Sequence, residues 1–227
     1  MRGTAFFYIS LLLIGTGCVT PGSDMVSRGQ ELLITSSKVI TSLNQLSYSQ
    51  AHFEGPIKFF FDDQSTILQE GEKRRFVKGF TLPADKGAYS VSITSYKGGT
   101  TYDPAILYPD VQILDKDFRI VRTLPHSGFV FRPSHSGEGL NTVFFVNDNA
   151  EGERFLLITN RSMHEADLMT SQANITGAMP IVVPIGAGFA MWMVPTGSNT
   201  PPIKMKASPC GQLQVEFKEY RPKRVGQ

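Results

Sequence analysis

Two places in the chain set carboxylates close together, Asp62-Asp63 and Asp115-Lys116-Asp117. Paired carboxylates do acid–base work when burial raises the pKa of one of them. Both groups sit at the ends of strand-like runs, where aspartate bonds the N–H groups of a turn, and turn capping is the reading adopted. Neither has the longer D-x-D-x-D-G pattern of a calcium loop. Ser134-His135-Ser136 beside Glu138 supplies the residue types of a nucleophile, a base and an orienter. Sequence neighbours rarely reach triad geometry, and the G-x-S-x-G elbow is missing, so 132–140 reads as a Pro/Ser/Gly loop. His52, His126, His135 and His164 contain no H-x-x-x-H pair and have no cysteine pair beside them. No catalytic residue, metal ligand or cofactor is therefore expected.

Binding chemistry is better represented. A sugar site needs aromatic faces beside amide and carboxylate hydrogen-bonders. Tyr96, Tyr102, Tyr108 and Trp192 could supply the first, and Asp103, Asp110 and Asn141 the second. The stretch 97–108, with Gly98-Gly99 and Asp103-Pro104, reads as a loop long enough to shape a site. Tyr102, Asp103, Tyr108 and Trp192 are the candidate ligand contacts. The competing reading is packing, since aromatics are core formers. Trp192 lies between Met191 and Met193 in an uncharged run, 181–194. That run reads as buried strands or, if exposed, as a protein–protein surface.

The first of two cysteines belongs to a different chemistry. Met1-Arg2-Gly3 carries one positive charge, 5–14 is mostly apolar, and Gly15-Thr16-Gly17 precedes Cys18. A basic start, a short apolar core and small residues make a secretory signal. A cysteine straight after the small residues looks like a bacterial lipobox, in which the thiol takes a diacylglycerol and becomes the first mature residue. The alternative is a plain signal peptide cut nearby. Val19, rather than Asp, follows the cysteine and favours the outer membrane. Cys210 then has no partner in its own chain; it is read as buried and inert, with pairing to another chain as the alternative.

Elements must position these residues. The 227 residues suffice for a proper core, and 22 basic against 20 acidic residues leave no footprint for nucleic acid. No apolar run is long enough for a spanning helix. Ser23-Asp24 offers N-cap oxygens, and apolar residues at helical spacing predict a helix over about 25–43. Beyond residue 48 the period changes. The runs 89–94 and 213–218 alternate apolar with polar, and shorter runs fall at 57–61, 75–81, 111–114, 120–124, 129–132, 142–146, 155–159, 181–184 and 189–194. A short helix is expected at 163–173. The expected fold is mainly β: a single jelly-roll-like β-sandwich with a short N-terminal helix and one minor helix. The divisions are 1–17 signal peptide, 18–47 lipidated tether and helix, 48–220 sandwich, and 221–227 basic tail.

The order of segments carries a resemblance. Phe80-Thr81-Leu82-Pro83-Ala84 leads into Tyr89-Ser90-Val91-Ser92-Ile93-Thr94-Ser95. Then come Tyr108-Pro109-Asp110-Val111-Gln112-Ile113-Leu114-Asp115 and Phe155-Leu156-Leu157-Ile158-Thr159-Asn160, with Leu43-Asn44-Gln45-Leu46 ahead of the sheet. Over roughly 40–220 this resembles the MalM family, the periplasmic protein of the maltose operon. Other members can have an ordinary signal where this chain has a lipobox. The resemblance implies an exported, non-enzymatic accessory or binding protein linked to carbohydrate uptake, and it carries over no site residues. The expected partners are the membrane, through the lipid, and a carbohydrate or an envelope protein. The expected place is the periplasm, anchored to the outer membrane. A structural or assembly component of an envelope or secretion complex is the alternative.

Overall fold

The computed structural model describes residues 20–83, 87–134, 137–147, 152–161, 170–171, 176–185, 188–197 and 203–219. Cys18 and the basic tail lie outside them. Helix α1 spans Gly22–Thr35, shorter than the expected 25–43. Thr35, Ser36 and Ser37 end it, because their hydroxyls compete for the backbone. Thr35 Oγ1 donates to the Glu31 carbonyl at 2.9 Å, and the Ser36 Oγ accepts from the Lys38 N–H at 3.3 Å. The β-branched pair behind them forms strand β1 (Val39–Ile40), and Leu43–Gln45 is a 3-10 turn.

Two sheets follow. The first contains β1, β4 (Thr66–Glu70), β5 (Lys73–Thr81), β12 (Phe155–Asn160), β8 (Pro109–Leu114) and β9 (Ile120–Thr123), in that order. Strand β2 (Tyr48–Gln50) lies parallel to the end of β5. The second runs β10 (Val130–Ser134), β11 (Gly137–Val146), β6 (Tyr89–Gly99), β18 (Gly211–Glu219) and β3 (Ile57–Phe61). Strand β7 (Pro104–Leu107) turns back on β6, and β17 (Lys206–Ser208) runs parallel to β7. Two small ladders complete the set: β13 (Thr170–Ser171) with β16 (Ile203–Lys204), and β14 (Thr176–Ile185) with β15 (Gly188–Gly197).

The alternating runs behave as their pattern dictates. In β6 every second residue from Tyr89 to Ile93 is buried, and in β18 Leu213, Val215 and Phe217 are. These faces meet Phe76, Phe80, Leu156, Ile158, Val111 and Ile113 from the first sheet. Rings cross the gap: Phe61 stacks on Phe76 at 5.6 Å, and Phe80 meets Phe217 edge-on at 6.1 Å. Two sheets packed face to face over one apolar core make a β-sandwich, mainly β with one α-helix among the described residues.

Three local expectations are corrected. The stretch 97–108 is not a long loop: β6 continues to Gly99, β7 begins at Pro104, and only a short turn joins them. The apolar run Pro104-Ala105-Ile106-Leu107 is wholly buried, which pulls it into the sheet. Likewise 132–140 is mostly strand, with Ser134 paired to Gly137 across a two-residue connection. The minor helix expected at 163–173 falls largely outside the described residues, and Thr170–Ser171 within it is strand.

Candidate functional site

A cleft of about 330 Å³ opens where the two sheets part, between β3 of one and β2, β4 and β5 of the other. That volume is at the lower end of the range of small-molecule sites, about 300–1,000 Å³. Lys78 lines it. Strand periodicity puts Lys78 on the same face of β5 as Phe76 and Phe80, the face turned to the core. Its ammonium is 5.7 Å above the Phe80 ring and donates to the Ser49 hydroxyl at 2.8 Å. Burial lowers the Lys78 pKa below the ordinary lysine value. An ammonium has three donors, so two remain for a guest.

The turn after β3 also lines the cleft and supplies acceptors. Asp62 Oδ1 accepts from the Gln64 N–H at 2.9 Å and from the Ser65 hydroxyl at 3.1 Å. Asp62 is thus the turn cap its position predicts, and among the described residues its second oxygen takes no partner. Asp115 does the same after β8, accepting from the Asp117 and Arg119 N–H groups at 2.8 and 2.9 Å. Phe59 on the inward face of β3 and the exposed Phe60 on its outward face both line the cleft, and Ser47 and Thr66 add hydroxyls. A cation, a carboxylate, hydroxyls and an aromatic side chain suit a small polyhydroxylated molecule.

None of the four residues singled out in the sequence lines this cleft. Tyr102 sits in the β6–β7 turn, 88% exposed. Asp103 is a structural clamp. Its carboxylate accepts from the Ser23 N–H at 2.9 Å and the Ser23 hydroxyl at 2.6 Å, and meets Lys206 at 2.7 Å. Its backbone carbonyl accepts from the Gly22 N–H at 2.8 Å. The cap of α1 therefore comes from the turn at residue 103, not from Ser23-Asp24, and no side chain of the helix caps it. Lys206 first, then Ser23, holds the Asp103 pKa well below the usual carboxylate range. Tyr108 packs beside Ile106, Leu140 and Met205. Trp192 lies on β15, opposite Ile181 of β14.

Other candidate polar groups are also engaged. Asp110 faces His126 at 3.1 Å. Asn141 donates to the Thr94 hydroxyl at 2.8 Å on the outer face of the second sheet. Glu138 pairs with Lys97. Among the described residues no group of three or more His, Cys, Asp or Glu side chains is placed to hold a metal ion. Nor is any helix there long and apolar enough to cross a membrane.

Residues 72–176 match the family model described as maltose operon periplasmic protein precursor (MalM). This segment is similar to that family. It runs from the start of β5 to the first residue of β14, a narrower span than the 40–220 of the resemblance. The matched segment contains Lys78 and Asp103, while Ser49 and Asp62 lie ahead of it. Neither a curated protein nor a solved structure matches the chain.

Proposed function

We propose that this chain is a periplasmic accessory protein of the MalM type, without enzymatic activity, that binds carbohydrate in the Lys78 cleft. The lipobox at Cys18 supports attachment to the outer membrane through a lipid. The observation that carries the binding reading is the lysine itself. A cation on the core-facing side of a sheet is costly to desolvate, and among the described residues the Lys78 ammonium has one hydrogen-bond partner, Ser49, beside the Phe80 ring. A ring face packs on Phe59, and hydroxyls accept from Lys78 or donate to Asp62. The family description supports the compartment and the link to maltose.

Isothermal titration of the full chain against maltodextrins and other glycans tests this reading, with Lys78→Met as the control. Binding to the parent and its loss in the variant is the expected result. Failure of the parent to bind any glycan removes the carbohydrate part. Mass analysis of the mature N-terminus decides separately whether Cys18 carries a diacylglycerol.

A further inference from the structure

The hydrogen bonds already made around the Lys78 cleft decide which groups are left for a guest. Lysine only donates, so the 2.8 Å contact from Lys78 Nζ makes Ser49 Oγ the acceptor. The Ser49 proton is then free to donate, and among the described residues no group accepts it.

The same logic orients Gln64. Lys38 Nζ donates to the Gln64 side-chain Oε1 at 2.8 Å and to its backbone carbonyl at 3.2 Å. The amide oxygen is therefore the atom turned to Lys38, which leaves both Nε2 protons as donors. The backbone N–H of Gln64 is already spent on Asp62 Oδ1 at 2.9 Å. Ser49, Gln64 and Lys78 all line the cleft, whereas Lys38 does not. The three offer a hydroxyl proton, an amide NH2 and an ammonium, and each of these gives a proton.

Charge agrees with this polarity. Among the described residues no carboxylate lies within ion-pair distance of the Lys78 ammonium. Asp62, the acidic residue of the cleft, already accepts two hydrogen bonds on Oδ1 from its own turn. A neutral sugar hydroxyl would accept from Lys78 and leave its charge uncompensated. A carboxylate or a phosphate accepts from all three donors and cancels the charge. Hydrogen bonds with an ionised partner are about twice as strong as neutral ones.

We infer that the saccharide taken by the Lys78 cleft carries an anionic group, a carboxylate or a phosphate, which Lys78, Ser49 and Gln64 receive. The inference rests on the carbohydrate reading of the cleft and narrows it to acidic or phosphorylated sugars. Asp62, through its second oxygen, is left for the hydroxyls of the same ring.

Glucose, glucuronate and glucose 6-phosphate share one ring and differ in the group at its exocyclic carbon. Isothermal titration of the full chain with the three therefore isolates the charge. At least one of the anions should bind about ten-fold tighter than glucose, and added salt should shrink that preference. Which anion binds tighter tells a uronate site from a phosphate site. Gln64→Glu replaces donors by acceptors at an exposed position. Checked for native circular dichroism, it should bring the anions down to the affinity of glucose and leave glucose unchanged. Equal affinity of the parent for glucose and both anions overturns the inference while the carbohydrate reading stands. So does a preference that survives undiminished in folded Gln64→Glu. Inorganic phosphate bound as tightly as glucose 6-phosphate also overturns it, because the ring then contributes nothing. Failure to bind any saccharide, maltodextrins included, removes the carbohydrate reading and the inference with it.

Discussion

Ser23 Oγ donates a 2.6 Å hydrogen bond to Asp103 Oδ2 across 80 residues of sequence. One carboxylate thereby caps the helix, fixes the β6–β7 turn and neutralises Lys206 at the neighbouring strand. Asp103→Ala should leave the sandwich intact and free the helix. Limited proteolysis would show several-fold faster cutting within α1, with the β spectrum unchanged. Unchanged protection would mean the helix is held by its apolar face alone.

The same contact predicts an acid response. The folded-state pKa of Asp103 is depressed, so its contribution is fully present above the ordinary carboxylate pKa of about 4 and is lost as pH falls through the depressed value. Helix detachment should therefore begin below about pH 4. Asp103→Asn should flatten that part of the profile, read by hydrogen exchange of the α1 amides.

Gly99 has a φ of +82°, and a Cβ there would collide with the Asp103 carbonyl oxygen. Gly99→Ala combines left-handed strain with that clash, and should cost about 3 kcal/mol by denaturant unfolding. Gly87, with a φ of +63° and open space around it, is the control for strain without clash. Gly87→Ala should cost about 1 kcal/mol.

Lys78→Met should abolish glycan binding and stabilise the fold slightly, by about 0.5 kcal/mol once solvent screening is allowed for. The folded-state pKa is lowered, so the stability of the parent rises as pH climbs through that value towards the ordinary 10.5. The gap between variant and parent should close over that interval in chemical denaturation.

Tyr48 gives a third titration marker. Burial beside Phe118 and Phe155 pushes its pKa up to about 12, and its hydroxyl donates to the Leu43 carbonyl at 3.2 Å. Its contribution is fully present below pH 10 and lost as pH rises through about 12. Ultraviolet titration should show one fewer late-ionising tyrosine in Tyr48→Phe than in the parent.

Much of this architecture was legible in the sequence because it is written in period two. Tyr89 to Thr94 and Leu213 to Lys218 alternate, and they form the centre of the second sheet. The end of α1 was less legible: Val39, Ile40, Leu43 and Leu46 keep helical spacing, yet three consecutive hydroxyl residues break the helix before them. Strand β7 was missed because a fully buried run of four does not alternate. Asp103 was read as a ligand group because its partners, Ser23 and Lys206, are remote in sequence. Lys78 left a usable signal in Phe76-x-Lys78-x-Phe80, a cation at a position whose parity assigns it to the core.

The helix held by Asp103 also covers the buried thiol of Cys210. Cys210 Sγ donates to the Met25 carbonyl at 3.1 Å. At Gly29 a Cβ would lie 2.8 Å from Pro209 Cγ and 3.1 Å from Cys210 Sγ, so only glycine allows the helix to lie this close. Disulfide-forming catalysts keep the bacterial periplasm oxidising. In that compartment an open, unpaired thiol invites mixed disulfides with other exported chains. The docked helix therefore acts as chemical protection, and its release would turn an inert side chain into a crosslinking hazard.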